Sequence, residues 1–123
     1  MADILIIDDD PHIRRLMSRI LQAAGHRVRE AANGREGMRL FGERRADLVI
    51  TDLVMPDAEG IETIRALRRD APALPILAIS GQMPAAFLDA AVRLGATAAL
   101  EKPFGVDELT GKVDDLLGGA RPG

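Results

Sequence analysis

Residues 4–15, ILIIDDDPHIRR, carry the pattern that decides the fold. Four apolar residues run into three acids, and a proline then opens a segment whose apolar residues recur at helical spacing. A short apolar run is typical of a strand that is buried on both faces. Proline is favoured at the first position of a helix, and glycine just after the last. We therefore predict a buried strand over 4–8 and a helix over 11–24 that Gly25 ends.

The same alternation continues to the end of the chain. Apolar or alternating runs predict further strands over 27–31, 46–52, 74–80 and 97–102. Helical spacing predicts further helices over 35–44, around Ile61, Ile64 and Leu67, over 84–94, and from Val106 to Leu116, with a turn at Asn33-Gly34 and a loop over 56–60. Strict alternation implies a parallel sheet with helices on both faces. In such a sheet, ligands bind beyond the carboxyl ends of the strands.

Composition limits the classes of protein that this sequence can form. Its 123 residues fit one domain, and 47% apolar residues suffice for a core. A net charge of −3 is too small to indicate nucleic acid binding, and without tyrosine or tryptophan few side chains can stack on bases. The absence of cysteine excludes disulfides and thiolate-bound metals. No targeting signal or membrane-length apolar run is present, so we expect a soluble, cytoplasmic protein.

Polar side chains stand where the predicted strands end. Asp8 and Asp9 follow the first strand, while Asp52, Ser80 and Lys102 end the third, fourth and fifth. Parallel strands share one carboxyl edge, so these residues converge there. Clustered carboxylates repel one another, and a site of oxygen ligands favours Mg²⁺, with Mn²⁺ as an alternative, over zinc. The set predicts phosphoryl chemistry, with Asp52 as the nucleophile and with Lys102 and Ser80 binding phosphoryl oxygens.

Each of these residues also has an ordinary structural interpretation. Asp8 and Asp9 could be acids that favour a helix N-terminus, and Asp52 could be a turn residue. Lys102 could be solvated, as most lysines are, and Ser80 could cap the helix that follows it. Their convergence on one edge favours the site over these separate interpretations.

The third acid of the triplet has a different predicted role. Asp10 directly precedes Pro11, and aspartate before a first-position proline is typical of an N-cap. His12, on the first turn, is interpreted as a solvated side chain rather than a ligand.

Taken together and in order, these motifs resemble the receiver domain of two-component response regulators. The resemblance covers residues 3–118 and rests on Asp8-Asp9, Asp52 with the following LVMPDAEG, Ser80-Gly81, and KPF at 102–104. It implies a single (βα)5 flavodoxin-like domain with a five-stranded parallel sheet in the order 2-1-3-4-5. It assigns residues 1–118 to the receiver domain and leaves 119–123 as a flexible tail.

The resemblance also implies a role for each site residue. Asp52 would be the phosphoacceptor and, with Asp9, a direct Mg²⁺ ligand. Asp8 would bind the metal through water, and the backbone carbonyl of Val54 would be a further ligand. Ser80 and Lys102 would bind the phosphoryl oxygens and report phosphorylation to the fourth and fifth helices. The Lys102–Pro103 peptide bond would be cis.

Three positions bear on signalling. The family commonly has an aromatic residue three positions before the lysine, and here that residue is Ala99, so no ring can rotate inward when Ser80 moves. The side chains of Val54 and Gln82 stand where the family tunes the lifetime of the phosphoryl group. Because an apolar Val54 cannot position an attacking water, we expect a long-lived phosphoryl group.

The resemblance names partners as well. The phosphoryl donor would be a histidine kinase or a histidine phosphotransfer protein in a phosphorelay. A downstream protein would bind the face formed by the fourth helix, fifth strand and fifth helix, with no direct nucleic acid or membrane contact. Whether the chain is free-standing or part of a longer regulator stays open.

Two other functions remain as alternatives. A phosphorylation-independent binding module on the same fold is favoured by Ala99 alone. A phosphohydrolase of the haloacid dehalogenase type also uses an aspartate nucleophile and Mg²⁺, and Asp8-x-Asp10 superficially matches its first motif. Against the hydrolase, His12 stands where that motif expects threonine or valine.

Overall fold

The computed structural model describes residues 2–53, 59–81 and 85–118, without the side chains of residues 59 and 85–88. Five strands alternate with five helices: β1 (Asp3–Ile7), α1 (Pro11–Ala23), β2 (Arg27–Ala31), α2 (Gly34–Glu43), β3 (Leu48–Asp52), α3 (Glu59–Asp70), β4 (Ile76–Gly81), α4 (Ala85–Leu94), β5 (Ala98–Lys102) and α5 (Val106–Gly118). The predicted elements are all present, and their ends differ from the prediction by at most two residues, except for α3, which was predicted only around Ile61, Ile64 and Leu67.

The strands form one parallel sheet in the order β2-β1-β3-β4-β5. The predicted flavodoxin-like arrangement is therefore confirmed. β1 lies beside both β2 and β3, and Asp52 at the end of β3 pairs with Ile79 of β4. At the far edge, Gly81 of β4 pairs with Lys102 of β5. The carboxyl ends of all five strands therefore meet at one edge.

The core consists of two layers because successive strand residues point to opposite faces of the sheet. Ile4 and Ile6 of β1 pack under α1 and α5, against residues such as Met17 and Leu109. Leu5 and Ile7 of the same strand face the other layer, to which α2, α3 and α4 contribute. β3 is buried along its whole length, as the apolar run over 48–50 predicts for a strand covered on both faces.

Two apolar residues that the helical spacing placed inward are exposed. Leu16 has 51% of its surface exposed although its neighbour Met17 is fully buried. Adjacent helical positions are rotated by roughly 100°, which leaves Leu16 at the rim of the buried stripe. Val106 is 56% exposed because it is the first residue of α5, and the residues that pack, Leu109 and Val113, lie further along the helix.

Two predicted loop assignments also need correction. Asn33 does not form an isolated turn with Gly34: its side chain accepts from the Glu36 amide and caps α2, which begins at Gly34. Glu59 and Gly60, expected in a loop, lie in the first turn of α3. The remainder of that predicted loop, residues 56–58, falls outside the described residues, as does the predicted tail 119–123. Within the described parts of the chain, no helix combines the length and apolar character needed to cross a membrane.

Candidate functional site

A lysine from β5 joins two carboxylates from β1 and β3 at the carboxyl edge of the sheet. Lys102 Nζ donates to Asp8 Oδ2 at 3.2 Å and to Asp52 Oδ2 at 3.3 Å. To reach them the lysine crosses the end of β4, where the side chain runs beside Gly81. Three of the residues predicted to converge are therefore in direct contact, although up to 94 positions separate them in sequence.

These ionic contacts are buried, unlike those of a surface ion pair. The side chains of Asp8, Asp52 and Lys102 are 0%, 6% and 19% exposed. Burial by itself lowers the pKa of Lys102, but the charges of Asp52 and Asp8 and their hydrogen bonds outweigh it, so the pKa is raised. Lys102 is therefore a permanent positive charge at neutral pH, opposite two acids.

Asp8 lies deepest in the site. Burial raises the pKa of Asp8, and the nearby charge of Asp52 adds to this, while the Asp10 amide and Lys102 partly oppose it. The Asp10 amide donates to Asp8 Oδ1 at 2.9 Å, and the Asp8 amide donates to the Ala31 carbonyl at 3.1 Å. The residue is thus held by both its backbone and its side chain.

Asp9 completes an acidic cluster with Asp8 and Asp52. One carboxylate oxygen from each residue lies within 4.8 Å of the others, and Asp9 is exposed while the other two are buried. A donor set made only of carboxylate oxygens suits Mg²⁺ or Mn²⁺. The residues therefore fit a divalent cation that enters from the solvent side, where Asp9 stands.

The residues that flank the site define its local backbone. Asp10 has an extended conformation and accepts from the amides of His12 at 2.9 Å and Ile13 at 3.4 Å, which makes it the N-cap of α1. These hydrogen bonds lower the pKa of Asp10. On the other side, the Lys102–Pro103 peptide bond is cis.

Ser80 lies on β4, between the strands that carry Asp52 and Lys102. It is fully buried, and its hydroxyl donates to the Gly81 carbonyl at 3.4 Å. Its backbone pairs with Glu101, the residue before Lys102. The strand order thus places the hydroxyl between the strands of Asp52 and Lys102, while its hydrogen bond in this structure stays within β4.

Sequence reasoning missed Gly60, which packs against the end of β3. A Cβ on Gly60 would fall onto the carbonyl oxygens of Asp52 and Leu53, the latter at 2.6 Å. Only glycine allows the first turn of α3 to approach Asp52 so closely. The signal was the glycine in the loop-like segment after Asp52, but a close backbone approach leaves no distinctive pattern in sequence.

Three other predicted positions have different outcomes. Val54 and Gln82 lie outside the described residues. Ala99, the second residue of β5, pairs with Ala78 of β4 and is partly exposed. Two small side chains thus lie side by side where an aromatic ring would be expected.

Comparison with known proteins identifies the family of this chain. The family model described as the response regulator receiver domain matches residues 4–114. The chain belongs to this family. Solved receiver domains share its fold: that of NtrX from Brucella abortus has a TM-score of 0.90 at 31% identity, covering 94% of this chain and 98% of that one. Chemotaxis protein CheY4 from Vibrio cholerae has a TM-score of 0.89 at 34% identity, covering 95% and 99%.

Longer regulators are also similar to this receiver domain. The KDP operon transcriptional regulatory protein KdpE of Escherichia coli is 38% identical over 92% of this chain and 50% of its own length. The DNA-binding transcriptional regulator NtrC of Azospirillum brasilense is 36% identical over 98% of this chain and 25% of its own length. The chain thus spans between a quarter and a half of these relatives.

Proposed function

We propose that the chain accepts a phosphoryl group on Asp52 and that this modification switches its binding to other proteins. The observation that carries the proposal is the shared Lys102 ammonium. It bridges Asp8 and Asp52 in a cluster where three carboxylate oxygens lie within 4.8 Å of one another. A structural ion pair would need only one acid. A lysine that contacts two acids is better suited to stabilising negative charge during a reaction.

The proposed transfer begins with Asp52. One of its carboxylate oxygens attacks the phosphorus of a phosphohistidine on a histidine kinase or phosphotransfer protein. A P–O bond forms, the P–N bond breaks, and the imidazole leaves with its electron pair. The side chain of Asp52 is only 6% exposed, at the end of a fully buried strand, so the nucleophile is held in one place before the donor binds.

Lys102 and Ser80 act on the transferred group. The ammonium already stands 3.3 Å from Asp52 Oδ2, and its raised pKa keeps it charged. It is therefore placed to stabilise negative charge on the phosphoryl oxygens. Ser80 supplies a hydroxyl from the adjacent strand once its hydrogen bond to Gly81 is exchanged.

Asp9 and Asp52 would hold Mg²⁺ or Mn²⁺ directly, and Asp8 would do so through water, with the Val54 carbonyl as a further ligand. When bound, the cation neutralises the acids and the charge on the phosphoryl group. Asp8 would thus have two roles. It would hold the cation through water, and its Oδ2 accepts a hydrogen bond from Lys102 Nζ at 3.2 Å.

The output is proposed to reach a protein through the face of α4, β5 and α5. Lys102 ends β5, so a shift of its ammonium from the two acids to a phosphoryl group acts directly on that strand. Because Ala99 carries no ring, this output would depend on strand and helix shifts instead of an aromatic switch. The cytoplasmic location and the absence of direct nucleic acid contact by this domain stay predictions.

Ala99 is also the one observation that favours a second candidate, a binding module that works without phosphorylation. The hydrolase alternative has no comparable support, because Asp10, the second acid of its motif, is committed to capping α1.

Incubation with acetyl phosphate and Mg²⁺, followed by intact-mass measurement, separates the two candidates. We expect one phosphoryl adduct on the native chain, the same adduct on Asp47→Asn, and none on Asp52→Asn. Asp47 is a suitable control because its side chain accepts a hydrogen bond from the Asp3 amide at the opposite edge of the sheet. A native chain without an adduct would favour the binding module.

A further inference from the structure

An arginine of α1 reaches back to the turn that carries Asp8 and Asp9. Arg14 Nη1 donates to the Asp8 carbonyl oxygen at 2.8 Å, and Arg14 Nε donates to Glu30 Oε1 on β2 at 3.1 Å. The side chains of Arg14 and Glu30 are 17% and 33% exposed. The guanidinium is therefore held between the turn and the neighbouring strand instead of extending into solvent.

The carbonyl that Arg14 binds belongs to the peptide group joining Asp8 to Asp9. Asp8 is already fixed by its other contacts, which involve Ala31, Asp10 and Lys102. Asp9 is exposed, and the plane of that peptide sets where its side chain leaves the backbone. A hydrogen bond that fixes the plane therefore narrows the region that the Asp9 carboxylate can reach.

We propose that Arg14 is a positioning residue, which holds the Asp8–Asp9 peptide so that the Asp9 carboxylate meets those of Asp8 and Asp52 as a cation ligand. This inference rests on the proposed function. Glu30 orients the guanidinium and offsets its charge, so the turn gains a directed hydrogen bond without a net positive charge beside the cluster. Groups that orient metal ligands in this way typically change metal affinity by 10- to 100-fold.

Positioning and simple charge predict opposite results when Arg14 is removed. A positive charge near a cation site repels the cation, so its loss should tighten binding. Loss of a positioning hydrogen bond should weaken binding because Asp9 no longer has a fixed direction. Arg14→Gln distinguishes these effects by the sign of the change.

The test is a Mn²⁺ titration of the full chain, in which free Mn²⁺ is measured by electron paramagnetic resonance. The matched control is Arg15→Gln, because Arg15 is the next residue of α1 and is exposed. We expect binding about tenfold weaker in Arg14→Gln and unchanged or slightly tighter in Arg15→Gln. Thermal unfolding of each variant confirms that it is folded at the titration temperature.

Arg14→Lys keeps the experiment decisive if Arg14→Gln does not fold. It keeps the positive charge but lacks the guanidinium that donates to both the Asp8 carbonyl and Glu30, so positioning predicts several-fold weaker Mn²⁺ binding and simple charge predicts no change. If the native chain binds Mn²⁺ and Arg14→Gln, or Arg14→Lys in its place, binds it equally well or more tightly, the role of Arg14 is refuted. If the native chain itself does not bind Mn²⁺, the proposed function fails instead.

Discussion

Replacing Lys102 with methionine removes the one cation that contacts both Asp8 and Asp52 in the described part of the chain. Methionine keeps the length of the stem but leaves two buried carboxylates facing each other. Removing one partner of a fully buried pair costs about 3–5 kcal/mol, and an exposed pair contributes up to about 1 kcal/mol. With Asp8 fully buried and Lys102 19% exposed, we expect Lys102→Met to lower the free energy of unfolding by about 2–3 kcal/mol at neutral pH.

The pH dependence of this loss identifies its cause. In the variant, Lys102 no longer opposes the raised pKa of Asp8, so that pKa rises further. A carboxyl with a raised pKa in the folded state destabilises the fold as pH rises from its ordinary value of 3.8 through the raised value. The deficit of the variant should therefore be small at acid pH and grow towards neutrality. It should shrink again above pH 10.5, as the native chain loses the stabilisation from Lys102 while passing through its raised pKa.

Urea unfolding followed by far-ultraviolet circular dichroism measures the free energy of unfolding at each pH. Arg39→Met is the control, because it breaks an exposed pair with Glu43 and should cost less than about 0.5 kcal/mol. Mg²⁺ should stabilise Lys102→Met more than the native chain, since the cation takes over the compensating charge. Equal stability of the variant and the native chain across the pH range would refute this reasoning.

Three further substitutions test the local structure. In Gly60→Ala, the added Cβ would displace the backbone of Asp52. The free energy of unfolding in urea should therefore fall by about 2–3 kcal/mol, and phosphorylation by acetyl phosphate should be slower. A native phosphorylation rate would contradict this. Asp10→Ala should lower the melting temperature at neutral pH while Asp10→Asn, which still caps α1, should lower it less. Since the pKa of Asp10 is lowered, the difference in melting temperature between Asp10→Ala and the native chain should shrink as pH drops below 3.8. A difference that does not change with pH would show that the negative charge of Asp10 does not stabilise α1. Arg68→Met should cost about 1–2 kcal/mol in the same unfolding assay, because Arg68 donates to the carbonyls of Gly95 at 2.7 Å and Pro72 at 2.9 Å; an unchanged midpoint would show that water replaces these bonds.

The element order and sheet topology could be predicted because each element carries its own local pattern. Buried strands such as β3 appear as apolar runs, and α1 has both a cap and a terminating glycine whose φ is +96°. The limits of α3 were harder to predict, because its described part begins with Glu59-Gly60, and neither residue continues the apolar spacing of Ile61, Ile64 and Leu67. Gly60 is required by a contact with β3, and such a contact between elements leaves no local signal.

The members of the candidate site could be predicted, but the contacts among them could not. Strand ends converge in any parallel sheet, which brings Asp8, Asp52 and Lys102 to one edge. That Lys102 would contact both acids depends on the space beside Gly81 and on how far the lysine stem extends. Arg14 was missed because an arginine on an amphipathic helix resembles any solvated side chain until the turn it binds is known.

The most direct test of the central claim is to locate the phosphoryl group by chemical reduction. Borohydride converts an aspartyl phosphate to homoserine, and peptide mass spectrometry then identifies the modified position. After incubation with acetyl phosphate and Mg²⁺, we predict homoserine at position 52 and at no other aspartate. Homoserine at position 8 or 9 instead, or no homoserine in a chain that carries the phosphoryl mass, would contradict the assignment of Asp52 as the phosphoacceptor.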